Sequence, residues 1–225
     1  MDGPGYSARM SIRRVSPLDG RRPTRDDLAA FAGSDGSVLE DVMPDPEHGE
    51  RLRLLIVGIN PGLWTAAVNA PFARPGNRFW PSLHRAGLTS RLVDASRGLA
   101  EQDERELRAR GIGMTNLVAR ATARADELSR EELRVGGREL AARAESLRPH
   151  AVAVAGITAF RTAFGLPHAR MGRQDPELVP GWPTEVTLWV MHQPSGLNAH
   201  ATVDSLAETW RDVARDAGLA QENIS

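Results

Sequence analysis

The 225-residue sequence contains no cysteine and no lysine, and each absence narrows what the chain can be. Without cysteine, disulfide bonds, thiolate zinc sites and cysteine-bound iron–sulfur clusters are excluded. The six histidines are scattered without a metal-ligand spacing, so we expect no metal site. No apolar run approaches the roughly 20 residues of a membrane-spanning helix, and the first residues lack the apolar core of a signal peptide. The sequence therefore predicts a soluble, intracellular (cytoplasmic) protein with no membrane partner.

All 28 basic residues are arginine, and they nearly balance the acidic residues to leave a net charge of −1. Arginine is suited to bidentate phosphate contacts, but a coding bias toward arginine gives the same composition. A net charge near zero neither supports nor excludes a nucleic-acid partner, because a local basic face decides binding.

Short apolar segments alternate with helical segments from residue 52 onward. Strands are predicted at Leu52–Val57, Gly113–Val118, Ala151–Ala155 and Glu185–Met191. Helices are predicted at Arg78–Ala86 after an Asn77 N-cap, from a capping box at Ser129 to about Leu147, at Thr158–Phe164 and at Val203–Ala217. This alternation predicts an α/β fold: a three-layer α/β/α sandwich with a mostly parallel, four-stranded central sheet.

The chain divides by composition near residue 50. Residues 51–225 are predicted to form one domain, which we expect to be the catalytic one. Residues 1–50 are rich in Gly, Pro, Asp and Arg, and are predicted to be a partly disordered extension with a short helix around Asp26–Ala32.

Two long loops are candidates for function because parallel sheets bind ligands beyond the carboxyl ends of their strands. They are Gly58–Trp80 after the first strand and His192–Ala201 after the last. The first begins Gly58-Ile59-Asn60-Pro61-Gly62, a kind of turn that by itself is more often structural than functional.

Three motifs occur in order: Gly-Ile-Asn-Pro-Gly-Leu at 58–63, Pro-Phe-Ala-Arg-Pro-Gly-Asn-Arg-Phe-Trp at 71–80, and Gln-Pro-Ser-Gly-Leu-Asn at 193–198. With Met114–Val118 and the Gly-Gly-Arg at 136–138, the chain resembles the mismatch-specific uracil-DNA glycosylase and thymine-DNA glycosylase family from about Leu52 to Gly218. The resemblance implies a monomeric, cofactor-independent DNA repair enzyme. Such an enzyme flips uracil, mismatched uracil in particular, out of double-stranded DNA and hydrolyses its N-glycosidic bond, leaving an abasic site.

The same resemblance implies roles for residues of the base pocket. Asn60 matches the asparagine that positions water, and Phe72 matches the aromatic on which the flipped base stacks. Backbone N–H groups of Ile59 and Phe72 face the base carbonyls and stabilise charge that grows on the leaving base. Gln193 stands where the family usually has asparagine, which keeps the amide but lengthens it by one methylene.

The second loop is implied to fill the gap that the flipped base leaves. Leu197, flanked by Gly196 and Asn198, is the wedge, and amides near Ser195 and Gly196 anchor the DNA backbone. A loop leucine that packs on the domain is the alternative for Leu197. Ala199-His200 replaces the arginine that the family has after the wedge, which leaves the preferred opposite base open.

The stretch from Thr89 to Gly111 is longer than in the resembled family and is rich in carboxylates. Asp94 is the candidate general base there, since an asparagine such as Asn60 cannot take a proton; a surface or capping role is the alternative. Two other functions stay open: a non-catalytic DNA-binding module of the same fold, and an enzyme acting on free nucleosides.

Overall fold

The computed structural model describes residues 14–32, 39–196 and 201–219, and over these residues a five-stranded sheet forms the centre of the molecule. Its strands are β1 (Leu54–Gly58), β2 (Ile112–Asn116), β3 (Ala151–Ala155), β4 (Gly172–Gln174) and β5 (Thr187–Met191). The order is β2-β1-β3-β5-β4, with β4 antiparallel to β5 and the other pairs parallel. The prediction of four strands is wrong because β4 is three residues long, Gly-Arg-Gln, and carries no apolar pattern.

Helices cover both faces of the sheet, which gives the three layers that the alternation predicts. They are α1 (Arg25–Ala30), α2 (Leu63–Val68), α3 (Phe79–Arg85), α4 (Glu101–Ala109), α5 (Arg130–Leu147), α6 (Ile157–Phe164) and α7 (Val203–Asp216). Because successive strand residues face opposite ways, Leu54 and Ile56 pack with α2, α3 and α7, while Leu55 and Val57 pack with α5 and α6. None of the helices in the described part of the chain is long and apolar enough to cross a membrane.

Parallel pairing brings the ends of four strands to one side of the sheet. Gly58 at the end of β1 is paired with Asn116 at the end of β2, and Ala155 of β3 with Met191 of β5. We call this side the carboxyl edge. The loops that follow these strands all begin there, so residues far apart in sequence become neighbours.

The sequence predicts the start of α5 correctly and that of α3 to within one residue. α3 begins one residue later than predicted, yet Asn77 Oδ1 still accepts the Phe79 N–H at 2.9 Å. For α5 the capping box is confirmed: Ser129 Oγ accepts the Glu132 N–H at 3.1 Å, and the Glu132 carboxylate accepts the Ser129 N–H at 2.8 Å.

Gly136 and Gly137 lie inside α5, where glycine ordinarily costs about 1 kcal/mol relative to alanine. Both are buried. A Cβ at Gly136 would lie 2.1 Å from Leu117 O, and one at Gly137 would lie 2.7 Å from Ala163 O. The two glycines therefore allow α5 to approach both the loop after β2 and helix α6.

Helix α2 occupies six residues of a stretch in which the sequence predicts only a loop. It is short, has no side-chain N-cap and buries four consecutive residues, so it shows no amphipathic period. Packing, rather than local sequence preference, stabilises it.

Residues before β1 pack against the domain. Arg14 is 8% exposed and donates to Asn69 Oδ1 at 3.0 Å and to Asp41 O at 2.9 Å. Val42 forms an antiparallel bridge to Met114 of β2. The function of residues 1–50 as an extension stays a prediction.

Candidate active site

The turn at residues 58–62 is fastened to the loop after β2. Leu117 N–H donates to Gly58 O at 2.8 Å, and Thr122 N–H donates to Pro61 O at 3.1 Å. Backbone hydrogen bonds at both ends hold the turn in one conformation at the carboxyl edge.

These contacts fix the orientation of the Asn60 side chain. Asn60 Nδ2 lies 2.7 Å from Thr122 Oγ1 and 2.9 Å from Arg120 O. The Thr122 hydroxyl donates its own hydrogen to Arg124 O at 2.8 Å, so towards Asn60 it accepts, as the Arg120 carbonyl must. Two acceptors require the NH₂ end of the amide. The half-buried Asn60 therefore presents Oδ1 as an acceptor to which no group of residues 14–32, 39–196 or 201–219 donates.

An ion pair steadies the Arg120 segment. The Arg120 guanidinium donates to Glu132 Oε1 at 2.6 Å and Oε2 at 3.1 Å, and also to Glu127 O at 3.1 Å. The Arg120 hydrogen bonds, followed by those of Ser129, lower the pKa of Glu132 to about 2. The carboxylate is therefore charged at neutral pH, and the pair links the start of α5 to the carbonyl that holds Asn60.

Phe72 lies over the end of β1 in a conformation that L-residues seldom adopt, with φ of 53°. Its ring stacks on Phe79 with centroids 3.8 Å apart and planes inclined by 16°. It also lies near Gly58, where an added Cβ would be 3.5 Å from Phe72 Cζ. Phe79 is itself wedged edge-on between Trp80 and Trp210, so one face of the half-buried Phe72 ring rests on a rigid aromatic base.

Asn116 joins this group although the sequence does not single it out. A Cβ at Gly58 would lie 2.6 Å from Asn116 Oδ1, so glycine is what gives this amide room. Asn116 is half-buried, and no side-chain hydrogen bond to another described residue occupies its amide. The sequence places Asn116 inside a predicted strand, Gly113–Val118, where its side chain has no special position. In the structure β2 ends at Asn116, so this side chain lies at the carboxyl edge.

Ile59 lies against the end of β3. A Cβ at Gly156 would lie 2.7 Å from Ile59 Cδ1, and Gly156 has φ of 144°, a conformation open to glycine alone. The Ile59 side chain therefore fills the space above β3, and the assignment of its main-chain N–H to the base pocket stays a prediction.

The loop after β5 contacts the loop after β1. Arg78 N–H donates to Pro194 O at 2.9 Å, and its guanidinium donates to Ser195 O and Gly196 O, each at 3.3 Å. Gln193 is exposed at the start of this loop. The predicted wedge residues Leu197 and Asn198 lie outside the described residues. The structure thus brings the two predicted loops together on the same side of the sheet.

Asp94 belongs to a turn beside helix α2. Its Oδ1 accepts the Ser96 N–H at 2.9 Å, and Trp64 Nε1 of α2 donates to Ser96 O at 2.9 Å. The Ser96 hydroxyl and backbone N–H lower the pKa of Asp94. The carboxylate is exposed and ionised at neutral pH. Its lowered pKa weakens it as a proton acceptor, so a base role stays a prediction.

A family model covers this part of the chain. The family model described as "UDG: Uracil DNA glycosylase superfamily" matches residues 46–214, which include both loops, Asn60, Phe72 and Asn116. Members of that superfamily are typically DNA glycosylases, which are hydrolases. Over well more than half of its length, the chain matches this family, and it therefore belongs to the uracil DNA glycosylase superfamily.

Proposed function

We propose that this protein is a monofunctional glycosylase that flips uracil, mismatched uracil in particular, out of double-stranded DNA and hydrolyses its N-glycosidic bond. The observation that carries the proposal is the fixed Asn60 amide, whose Oδ1 receives no hydrogen bond from the described residues and which lies two residues after Gly58, where Phe72 and Asn116 meet. A stacking face, an amide that can read a base edge and a water-binding oxygen are the groups that the reaction requires.

The flipped base stacks on the face of Phe72 that Phe79 does not cover. The Asn116 amide carries both a donor and an acceptor, which complements the N3–H donor and the carbonyl acceptors of uracil. We assign Gln193 to the same pocket, where its longer amide reads a second part of the base. Together these contacts select a pyrimidine with carbonyl groups.

The chemistry breaks the bond between C1′ of the sugar and N1 of uracil. The bonding pair leaves with the base, and N–H groups of Ile59 and Phe72 stabilise the resulting negative charge. A water held by Asn60 Oδ1 then adds to the electron-poor C1′ and gives its proton to solvent or to the candidate base Asp94, while the departed uracil anion takes up a proton from solvent. Because an amide cannot accept that proton, departure of the base precedes attack, and we expect slow turnover.

The DNA is held open by the loop after β5. Amides near Ser195 and Gly196 bind a backbone phosphate, and Leu197 with Asn198 enters the space left by the base. Insertion offsets the few kcal/mol that flipping a base costs.

Asp94 is the carboxylate we assign as a candidate base for the attacking water. Its turn packs against Trp64, in the helix that directly follows the Asn60 turn. The alternative assignment, a residue that only closes its own turn, makes a different prediction for amide substitution, given in the Discussion.

Product analysis on a panel of oligonucleotides tests the proposal. The panel contains uracil opposite guanine, uracil opposite adenine, thymine opposite guanine, and uracil in a single strand. We expect alkali-labile abasic sites from the uracil duplexes, with the guanine mismatch the best substrate. Binding to uracil duplexes without any abasic product contradicts the proposal and identifies a non-catalytic DNA-binding module.

A further inference from the structure

Arg78 contacts the chain on both sides of residues 197–200. Its Nη1 donates to Ala201 O at 2.8 Å and to Ser195 O at 3.3 Å, and its Nη2 donates to Gly196 O at 3.3 Å. The backbone N–H of Arg78 adds a bond to Pro194 O at 2.9 Å. One residue of the first loop therefore joins the two ends of the second.

The chemistry of these acceptors suits a fixed clamp. Main-chain carbonyls do not titrate, so the contacts persist across the working pH range. The planar guanidinium reaches carbonyls that lie in different directions, whereas the ammonium of lysine is a compact group on a flexible stem. A charged donor also strengthens each hydrogen bond relative to a neutral one.

The same short segment supports the stacking aromatic. Phe79 follows Arg78 directly and stacks on Phe72. On the other side, Gly76 O lies 2.7 Å from the position that a Cβ of Gly196 would take. Residues 76–79 are therefore packed against both the base-stacking ring and the start of the second loop.

We propose that Arg78 is a positioning residue that sets the spacing between Gly196 and Ala201 and so couples base stacking to DNA insertion. The inference rests on the proposed function. It assigns the arginine of the first loop to the second loop of this protein rather than to a DNA phosphate.

The test compares the R78A and R78K variants in single-turnover excision assays. Flipping is costly for uracil paired with adenine and nearly free for uracil in a single strand. Loss of charged hydrogen bonds that hold the loop lowers excision from the uracil–adenine duplex roughly 10- to 100-fold, and lowers single-strand excision much less. We expect R78K to lose nearly as much duplex excision as R78A, because lysine keeps the positive charge but lacks the planar guanidinium that bonds several carbonyls at once.

R51A is the matched control. Arg51 is exposed and precedes β1, at the end of the sheet away from the carboxyl edge. The R51A variant removes the same charge as R78A, and we expect its excision rates to equal those of the unaltered protein. G196A is a second variant, since its Cβ meets the Gly76 carbonyl; it reproduces the duplex-selective defect while keeping Arg78.

Three results overturn the proposal. They are unchanged duplex excision in R78A, an equal loss on every substrate, and full activity of R78K. In the last case, DNA binding is measured as a function of salt concentration. If the slope of log binding constant against log salt is smaller by about one in R78A, Arg78 contacts a phosphate directly instead. Thermal unfolding of each variant separates a folding defect from a positioning defect.

Hydrogen exchange without DNA separates failure of this inference from failure of the proposed function. Peptides covering residues 192–203 exchange faster in R78A and R78K than in the unaltered protein and R51A. If the unaltered protein excises no uracil but exchange is faster in R78A and R78K, the positioning role of Arg78 is supported and the glycosylase function is contradicted. Unchanged exchange contradicts the clamp whatever the excision result.

Discussion

The Asn60 amide nitrogen lies 2.7 Å from Thr122 Oγ1, and this hydrogen bond, together with the one to Arg120 O at 2.9 Å, fixes the orientation of the amide. Thr122 accepts because its own hydrogen is donated to Arg124 O. The catalytic assignment of Asn60 therefore depends in part on a hydroxyl 62 residues further along the chain.

The T122V variant tests this dependence. Valine keeps the shape of threonine and removes the side-chain acceptor, so the Asn60 amide is held less firmly, by backbone carbonyls only, and the attacking water is misplaced. We expect single-turnover excision to fall about 10- to 100-fold, since small displacements in a reacting geometry have effects of this size. DNA binding stays within about threefold, because no DNA contact is removed. T122S retains the hydroxyl and is the control; a T122V rate equal to that of T122S contradicts the assignment.

Gly58 and Asn116 form a second pair whose coupling is measurable. The Cβ of G58A would lie 2.6 Å from Asn116 Oδ1 and displaces the amide that we assign to the base edge. We expect G58A and N116A each to lower excision about tenfold or more, the size of a lost hydrogen bond left unmade.

The double variant decides whether they act through one group. If G58A acts by displacing Asn116, the double variant is little worse than N116A alone. If the losses in excision rate add, G58A acts by distorting the turn, and only the N116A result then bears on the base-reading role of Asn116.

The Glu132 carboxylate makes the protein acid-sensitive in a defined range. Arg120 and Ser129 lower its pKa to about 2 from an ordinary value of 4.5. The unfolded chain therefore takes up this proton first as the pH falls, so the stabilisation is complete above pH 4.5 and declines toward pH 2. We expect E132Q to have a lower midpoint of urea unfolding at pH 7.

The difference between E132Q and the unaltered protein narrows as the pH approaches 2. Urea titrations at pH 7, 5 and 3 measure it, and circular dichroism confirms that both proteins are folded at each starting point. A difference that stays constant or widens on acidification contradicts the ion pair with Arg120.

Asp94 is tested by comparing D94N with D94A. Asparagine retains an oxygen for the Ser96 N–H and cannot take a proton, whereas alanine removes both properties. The base role predicts that D94N and D94A lose excision by about 10²- to 10⁴-fold, the range of a general base. Normal excision by D94N dismisses the base role, and reduced thermal stability of D94A alone then leaves Asp94 as a turn residue.

Much of the fold follows from local patterns. The apolar runs predict β1, β2, β3 and β5 to within a few residues, and the Ser129 capping box predicts the start of α5. The strand β4 and the helix α2 are not predictable in this way. β4 exists because β5 offers an edge for pairing, and α2 because its side chains are buried by distant elements.

The candidate site is less visible in the sequence than the fold. Asn60 and Phe72 stand out because they lie in motifs, whereas the neighbours of Thr122, Asn116 and Arg78 are residues that only folding brings near. The hydrogen-bond orientation of one amide cannot be read from spacing along the chain. Position at the end of a strand was the available signal for Asn116, and misplacing the end of β2 by two residues concealed it.

Excision by N60A tests the central claim most directly. Single-turnover assays use a duplex that contains one uracil opposite guanine, with abasic product detected by alkaline cleavage and DNA binding measured in parallel. If Asn60 holds the attacking water, N60A binds this duplex as the unaltered protein does and forms abasic product at least about 100-fold more slowly. Equal rates of product formation by the two proteins would contradict the account.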